Sequence, residues 1–346
     1  MIELREVNKF FGDAPAVLDF SLTVEEGEFC CLIGPSGCGK TTTLKMINRM
    51  IESTSGTIRV GGRGISDFRP HELRRSMGYV IQSVGLFPHM TVMENICVVP
   101  RLLKWDRARA ESRARELLEL FDMPPDTFKD NYPSELSGGQ AQRTGVARAL
   151  AGDPDILLMD EPFGALDPIS RANLQQQFAR IQSELRKTVV FVTHDVDEAV
   201  RLASRIVLMR DGRMVQTDYP ERMLSIPGNA FVEQFLGSER SLKRLSRLRV
   251  SDAMRAFSRG AFGIDAVRQN PATGIAGIAV PDNPGPSWPQ SDSLTAGKSD
   301  EPALDPGVDL RHALALLLQH RKERLTVRDG NGRVLGELNL HDLLGV

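Results

Sequence analysis

The 346-residue sequence predicts an α/β fold: a parallel sheet with helices on both faces, an inserted helical subdomain, and a small α+β module at the C-terminal end. Three observations carry that prediction. Continuous apolar runs at Phe29 to Ile33, Ile156 to Met159 and Thr188 to Thr193 have the length and residue types of strands buried on both faces. Helix-like segments separate these runs, as crossovers between parallel strands require. Past about residue 237 the pattern changes to a basic stretch, a Pro/Ser/Gly/Asp-rich segment and a hairpin signal.

In chain order, the first 70 or so residues read as short strands with turns near Gly12-Asp13 and Glu26-Gly27. A helix-like segment follows from Thr41 to Met50, and Ser55-Gly56 and Gly61-Gly62 bracket a strand at Thr57 to Val60. Residues 91–150 are the helical insertion. There, Ala108 to Asp122 sets Ala110, Ala114, Leu117, Leu118 and Phe121 on one face with charges opposite. Ser170 to Leu185 is a helix between two buried strands, and Ile206 to Met209 is a further strand. Ser238 to Leu248 is a basic helix, residues 281–306 read as loop or disorder, and Asp309 to Gln319 is an apolar helix. Leu325 to Val327 and Leu335 to Leu338 flank the turn Asp329-Gly330-Asn331-Gly332 as a hairpin.

A hydrophobic share of 41%, a charged share of 25% and a net charge of −2 describe an ordinary globular chain with no global pull toward nucleic acid. The four cysteines, Cys30, Cys31, Cys38 and Cys97, read as small apolar fillers rather than a disulfide framework. Glu3, Arg5 and Glu6 interrupt any signal peptide, and no apolar run approaches membrane-spanning length.

Gly34-Pro35-Ser36-Gly37-Cys38-Gly39-Lys40-Thr41, between a strand and a helix, is a phosphate-gripping loop. Its glycines let successive backbone N–H groups point inward at a polyphosphate. Lys40 then reaches the β- and γ-phosphates, and the Thr41 hydroxyl can hold Mg²⁺. The chain is therefore expected to bind ATP or GTP. Ile156 to Met159 ends in two carboxylates: Asp160 can orient Mg²⁺ through water, and Glu161 can polarise an attacking water as general base. His194 ends the next strand, where it can hydrogen-bond a γ-phosphate, and Gln82 can sense Mg²⁺ or the attacking water. Leu136-Ser137-Gly138-Gly139-Gln140 opens a helix and makes a second anion site. One nucleotide does not need two grips from one chain, so a symmetric dimer is expected, with this turn closing over the nucleotide of the other copy.

Over roughly residues 1 to 235 the chain resembles the ATP-binding-cassette (ABC) ATPases, whose motifs stand here as GPSGCGKT, Gln82, LSGGQ, ILLMDE, Ala165-Leu166-Asp167 and His194. The resemblance implies a P-loop NTPase core over 1–237 with its helical insertion, ATP and Mg²⁺ as ligands, and a homodimer. It implies that Phe11 stacks on adenine, that Gly34 to Thr42 (GPSGCGKTT) bind ATP, and that Ser137, Gly138, Gly139 and Gln140 act in trans. Thr41, Gln82 and Asp160 would attend Mg²⁺, Glu161, His194 and Gln82 would be catalytic, and Asp167 would sit at the dimer interface.

Longer blocks, Lys40 to Arg49, Gly78 to Met90 and Glu161 to Pro168, are similar to the ATPase subunits of glycine betaine/carnitine/choline (osmoprotectant) importers. That implies separate permease subunits, an extracytoplasmic substrate-binding protein, and a peripheral position on the cytoplasmic face of the cell membrane. Val250 to Met254 and Val308 to Leu344, the latter including Asp342, look like a degenerate pair of CBS copies within 250–346, either regulatory or dimerising. In the linker 238–249, Arg240, Lys243, Arg244 and Arg247 share a helix face, either merely solvated or resting on anionic lipid. The alternatives are an ABC importer ATPase for another small organic solute, or a soluble ABC ATPase of DNA repair or translation. The second would call for coiled coils, paired cassettes or a basic body.

Overall fold

The computed structural model describes residues 1–82, 85–164, 166–237, 240–256, 303–340 and Leu343. Ser83, Ala165, Ser238, Asp342 and the part of the expected loop at 281–302 lie outside these. The chain divides into two compact units, Met1–Arg247 and Leu248–Val346.

The first unit holds two sheets. β1 (Ile2–Phe11), β2 (Ala14–Val24), β4 (Ser55–Val60) and β5 (Arg63–Gly64) form an antiparallel sheet in the order β2-β1-β4-β5. The second sheet combines β3 (Phe29–Ile33), β6 (Met77–Val80), β7 (Ile156–Asp160), β8 (Thr188–Val192), β9 (Arg205–Arg210) and β10 (Arg213–Asp218). Its order is β10-β9-β3-β8-β7-β6, parallel throughout except for β10, which folds back on β9.

The parallel strands are continuously apolar because alternate residues serve two cores. Phe29, Cys31 and Ile33 of β3 belong to one, with Phe163, Phe178 and Phe191; Cys30 and Leu32 belong to the other, with Ile2, Leu4, Phe20, Leu44 and Met46. All four cysteines are buried and free.

The helices α1 (Lys40–Ile47) and α2 (Pro70–Arg75) lead to the helical insertion of α3 (Val92–Ile96), α4 (Val98–Leu102), α5 (Arg107–Leu120), α6 (Pro125–Phe128) and α7 (Gly138–Leu150). α5 starts a residue earlier than its periodicity indicates because the Asp106 carboxylate caps it, accepting from the Arg109 N–H at 2.9 Å. Then come α8 (Pro168–Leu185), α9 (Val196–Leu202), α10 (Pro220–Ser225), α11 (Ala230–Leu236) and α12 (Arg240–Leu245). Among the described residues, no helix is long and apolar enough to cross a membrane.

α12 and Arg247 just after it fall within the first unit, and cations of the expected basic face pair there with acids of the same unit. Arg240 pairs with Glu233 at 2.9 Å, Lys243 with Asp197 at 2.9 Å, and Arg247 with Glu221 at 2.5 Å. Arg247 also donates to the Ala203 carbonyl at 3.2 Å. Three of the four cations expected to share a basic face are thus ion-paired within the first unit.

The second unit, by itself, carries α13 (Val250–Ala253), β11 (Arg255–Ala256), β12 (Ala303–Leu304), α14 (Leu310–Gln319), β13 (Arg324–Arg328) and β14 (Val334–Asn339). The sheet order is β11-β14-β13-β12, with β12 parallel to β13. Asp309 caps α14, accepting from the His312 N–H at 2.8 Å. The hairpin turns at Asp329, whose carboxylate accepts from the N–H groups of Asn331 and Arg333 at 3.0 and 2.9 Å. Ala303 and Leu304, expected within a loop, form β12 because Leu304 is buried in this unit.

Candidate functional site

The site is built at the ends of β3, β6, β7 and β8. β3 delivers the chain into the glycine loop, and two of those glycines are required by the fold itself. Gly34 has φ 147°, and a Cβ there would lie 2.2 Å from the Met209 carbonyl oxygen. Gly39 has φ 103°, and its Cβ would lie 2.5 Å from the Ala16 carbonyl oxygen. β2 is thus packed directly on the loop. A side chain at either position would strain the backbone and collide with main chain.

α1 starts at Lys40, which is only 6% exposed. Its ammonium donates to the carbonyls of Gly34 and Pro35 at 2.7 and 3.0 Å, so the cation is folded back onto the loop that would cradle phosphate. Thr41 donates through its hydroxyl to the Asp160 carboxylate at 2.8 Å. Burial pushes the Asp160 carboxyl above its ordinary range, and the Thr41 hydrogen bond opposes that shift. A hydroxyl beside a single carboxylate is a hard-oxygen pair that suits Mg²⁺, which keeps waters and substrate phosphates as its other ligands.

One residue on, Glu161 adopts φ 43°, the left-handed region that non-glycine residues avoid. Its N–H donates to the Val192 carbonyl at 2.9 Å, which fixes the unusual turn against the end of β8. The turn aims the carboxylate at two partners that lie just beyond the ends of β6 and β8. Glu161 Oε2 accepts from the Gln82 amide at 3.1 Å and lies 3.3 Å from His194 Nδ1. Three residues from three segments therefore meet at one oxygen. The His194 side chain is 61% exposed and that of Glu161 only 20%, so the imidazole stands on the open side.

Phe11 is 52% exposed, with the Lys9 ammonium 4.9 Å from its ring centroid. It pairs with Ala14 in the β1–β2 hairpin, close along β2 to the Ala16 carbonyl that abuts Gly39. An exposed ring there is free to stack on a flat base.

Ser137 and Gln140 form a closed capping box: the serine oxygen accepts from the Gln140 N–H at 3.3 Å, and the Gln140 side chain accepts from the Ser137 N–H at 2.8 Å. The N–H groups of Gly138 and Gly139 stay unbonded within the helix at its N-terminus, and the serine O–H remains a donor. Ser137 and Gly138 are exposed, and among the described residues no hydrogen bond joins this turn to Lys40, Thr41, Asp160 or Glu161. Asp167 is exposed before α8, where its carboxylate accepts from the Ser170 N–H at 3.0 Å.

The ABC transporter family profile matches residues 17–164. The glycine betaine uptake system ATP-binding protein YehX of Escherichia coli is 45% identical over 345 residues, which cover 99% of either chain. The chain belongs to the ABC transporter ATP-binding proteins. The glycine betaine/carnitine/choline transport ATP-binding protein OpuCA of Bacillus subtilis is 56% identical over 244 residues, 70% of this chain and 64% of that protein. This ABC chain thus spans less than two thirds of OpuCA. Among solved structures, the dimeric bacterial ABC transporter cassette MJ0796 is 35% identical with a TM-score of 0.58, covering 63% of this chain and 98% of that one. A post-hydrolysis form of the same cassette, bound to ADP and phosphate, aligns with a TM-score of 0.57 at 34% identity, over the same shares of the two chains. These likenesses establish the ABC ATPase fold for the cassette.

Sequence reasoning missed the groups behind His194. Thr193, Asp195 and Glu198 form a hydrogen-bonded turn, and Gln175 of α8 reaches into it. The spacing Asp195-Val-Asp-Glu198 before an apolar stretch is a helix N-terminus signature that could have revealed it.

Proposed function

We propose that this chain is the ATP-hydrolysing subunit of an ABC importer for a quaternary-ammonium osmoprotectant of the glycine betaine/carnitine/choline type. The observation that carries hydrolysis is the meeting of Gln82, Glu161 and His194 at one carboxylate oxygen, beside the Thr41–Asp160 pair. Glu161 would take the proton of the attacking water, His194 would hydrogen-bond the γ-phosphate, and Gln82 would hold the carboxylate until substrate arrives. Lys40 would leave its loop carbonyls for the β- and γ-phosphates, the loop N–H groups of Gly34 to Thr42 would cradle them, and Phe11 would stack on adenine. Mg²⁺, held by Thr41 and Asp160 with Gln82 nearby, would neutralise charge on the β- and γ-oxygens.

The Ser137–Gln140 turn is read as acting in trans, with Asp167 at the interface of a homodimer. A Cβ at Gly138 would meet nothing within 4 Å, so this chain's own packing does not require a glycine there. Close approach by something from outside would, and a phosphate bound to a second copy fits two free N–H groups and a serine O–H. The substrate class follows from relatives whose names cover glycine betaine, carnitine and choline transport. Separate permease subunits, an extracytoplasmic binding protein and a peripheral place at the cytoplasmic face follow from that reading. The second unit is read as a degenerate CBS-like regulatory or dimerising module.

Deleting this chain from its own cells should abolish uptake of labelled glycine betaine, carnitine or choline at high external salt, and the Glu161→Gln chain should fail to restore it. A relative named for spermidine/putrescine import is 44% identical over 260 residues, so a labelled polyamine is the natural comparison. Loss of polyamine uptake with osmoprotectant uptake intact would move the substrate to that class.

A further inference from the structure

The buried carboxylate of Glu198 has no part in the chemistry above, yet it sits directly behind the turn that carries His194. Glu198 is 5% exposed and lies in the first turn of α9. Its Oε2 accepts from the Thr193 hydroxyl at 2.6 Å, while the same hydroxyl accepts from the Asp195 N–H at 3.0 Å. One oxygen thereby bonds on both sides of His194. The other Glu198 oxygen accepts from the Gln175 amide at 3.0 Å, and Gln175 is also buried. Arg201 donates to the Gln175 carbonyl oxygen at 3.2 Å, which fixes the direction of that amide. Gln175 belongs to α8, the helix whose first turn is capped by Asp167. At the near end of α8, Arg171 donates to the Leu166 carbonyl at 3.1 Å and stands 3.9 Å from the Asp195 carboxylate.

We infer that Glu198 is a positioning residue for His194, and that the Thr193–Glu198–Gln175 chain ties the His194 turn to the helix that begins at Asp167. A buried carboxylate is costly to desolvate, and here Thr193 and Gln175 donate to it while the Asp195 N–H and Arg201 hold those two donors in turn. β8 stops at Val192 and α9 starts at Val196; the Thr193 N–H donates to the Leu32 carbonyl at 3.2 Å and the Asp195 carboxylate caps α9, so both ends of the gap that holds His194 are anchored. The hydroxyl and carboxylate close that gap. Arg171 supplies a second tie between the same two segments. Any shift of the Asp167 segment, as when a second copy docks on it, would therefore reach His194 through bonds rather than through loop. This inference rests on the reading of His194 and Glu161 as hydrolytic groups.

The two alternatives at position 198 should separate by how many bonds they keep. Alanine keeps neither. Glutamine can keep the Gln175 bond through its oxygen, whose partner's orientation Arg201 holds, but its N–H₂ then reverses the bond to the Thr193 hydroxyl and leaves that hydroxyl's proton without its acceptor.

The test is steady-state ATP hydrolysis by the purified full chain, with nucleotide affinity measured separately by a fluorescent ATP analogue and folding by thermal melting. Glu198→Ala is expected to lower kcat by about 10²-fold, the scale of a misplaced catalytic group, with affinity changed less than about twofold. Glu198→Gln should fall between it and wild type. Thr193→Val should match Glu198→Ala, and Thr193→Ser, which restores the hydroxyl, should recover most of the rate; this pair serves even where alanine at 198 prevents folding. In a His194→Ala background, Glu198→Gln should cost nothing further. A kcat within twofold of wild type for Glu198→Ala and Thr193→Val, beside a His194→Ala chain slowed to a small but measurable residual rate, would overturn the positioning role alone. Losses that multiply in the double variant would do the same. A fully active His194→Ala would overturn the hydrolytic reading of His194, and the inference with it.

Discussion

Two helix N-termini in this chain open from glycine-rich turns, and they are finished to different degrees. At the first, Gly34 to Thr41, the fold does the work in advance: the glycines are pinned by main chain at Ala16 and Met209, Lys40 is buried, and Thr41 is bonded to Asp160. At the second, Ser137 to Gln140, the turn is exposed and satisfied by its own capping box, with two N–H groups and a hydroxyl proton left over. The difference teaches that glycine can serve two purposes. Gly34 and Gly39 are demanded by the chain that contains them. Gly138 is demanded by nothing within it.

The largest effect should come from the chemistry attached to the first terminus. Glu161→Gln keeps the shape and the Gln82 contact but cannot take a proton, so turnover should fall by ~10²–10⁴ while ATP binding persists. Turnover and nucleotide affinity measured on the same preparation would check this, and turnover within a few-fold of wild type would remove Glu161 from the base role. Next in size is a glycine contrast. Gly39→Ala forces a left-handed alanine against the Ala16 carbonyl, a strain of ~1–3 kcal/mol, and should lower the melting temperature and nucleotide affinity together. Gly138→Ala should leave stability within ~0.5 kcal/mol, since its methyl meets open space, and yet reduce turnover if the nucleotide of a second copy closes on this turn. A destabilised Gly138→Ala, or a harmless Gly39→Ala, would erase the distinction between the two termini.

The smallest effect concerns pH and the nucleotide-free chain. Burial raises the carboxyls of Asp160 and Glu198 above their ordinary ranges, so the folded chain holds these protons more tightly than the unfolded chain. Their contribution to stability is therefore fullest below the ordinary carboxylate range and is lost as pH rises through the raised values. Asp160→Asn, which removes one such charge, should raise the melting temperature modestly at neutral pH and leave it less sensitive to pH on the acid side. Thermal melts across that range would show it, and a lower melting temperature at neutral pH would contradict the cost assigned to the buried charge.

The glycine loop, the strands and the two carboxylates were legible because each is a local pattern: an apolar run has one burial state, and GPSGCGKT has one use in strand–loop–helix context. The resemblance to ABC ATPases extended that reading to Asp167 and Phe11. What stayed hidden depends on partners far along the chain. The periodicity of Arg240, Lys243 and Arg247 marks a basic face, but their acids, Glu233, Asp197 and Glu221, come from α11, α9 and α10, and only folding brings them opposite. Likewise nothing adjacent to Glu161 announces its left-handed backbone, since the turn is held by Val192 from another strand. Gln175 looks like an ordinary helix glutamine until α8 packs beside α9.

The claim that joins the two termini is closure in trans, and mixed dimers test it most directly. Lys40→Ala should disable the first terminus, and Ser137→Arg should block the second. Each alone should give an inactive homodimer. A heterodimer of the two has one site damaged twice and one that combines an intact Lys40 with an intact Ser137 from across the interface. With heterodimer formation verified by differently tagged chains, ATP hydrolysis should reappear above both homodimers. Tagged heterodimers that hydrolyse no faster than either homodimer would contradict closure of Ser137 over the other copy's nucleotide.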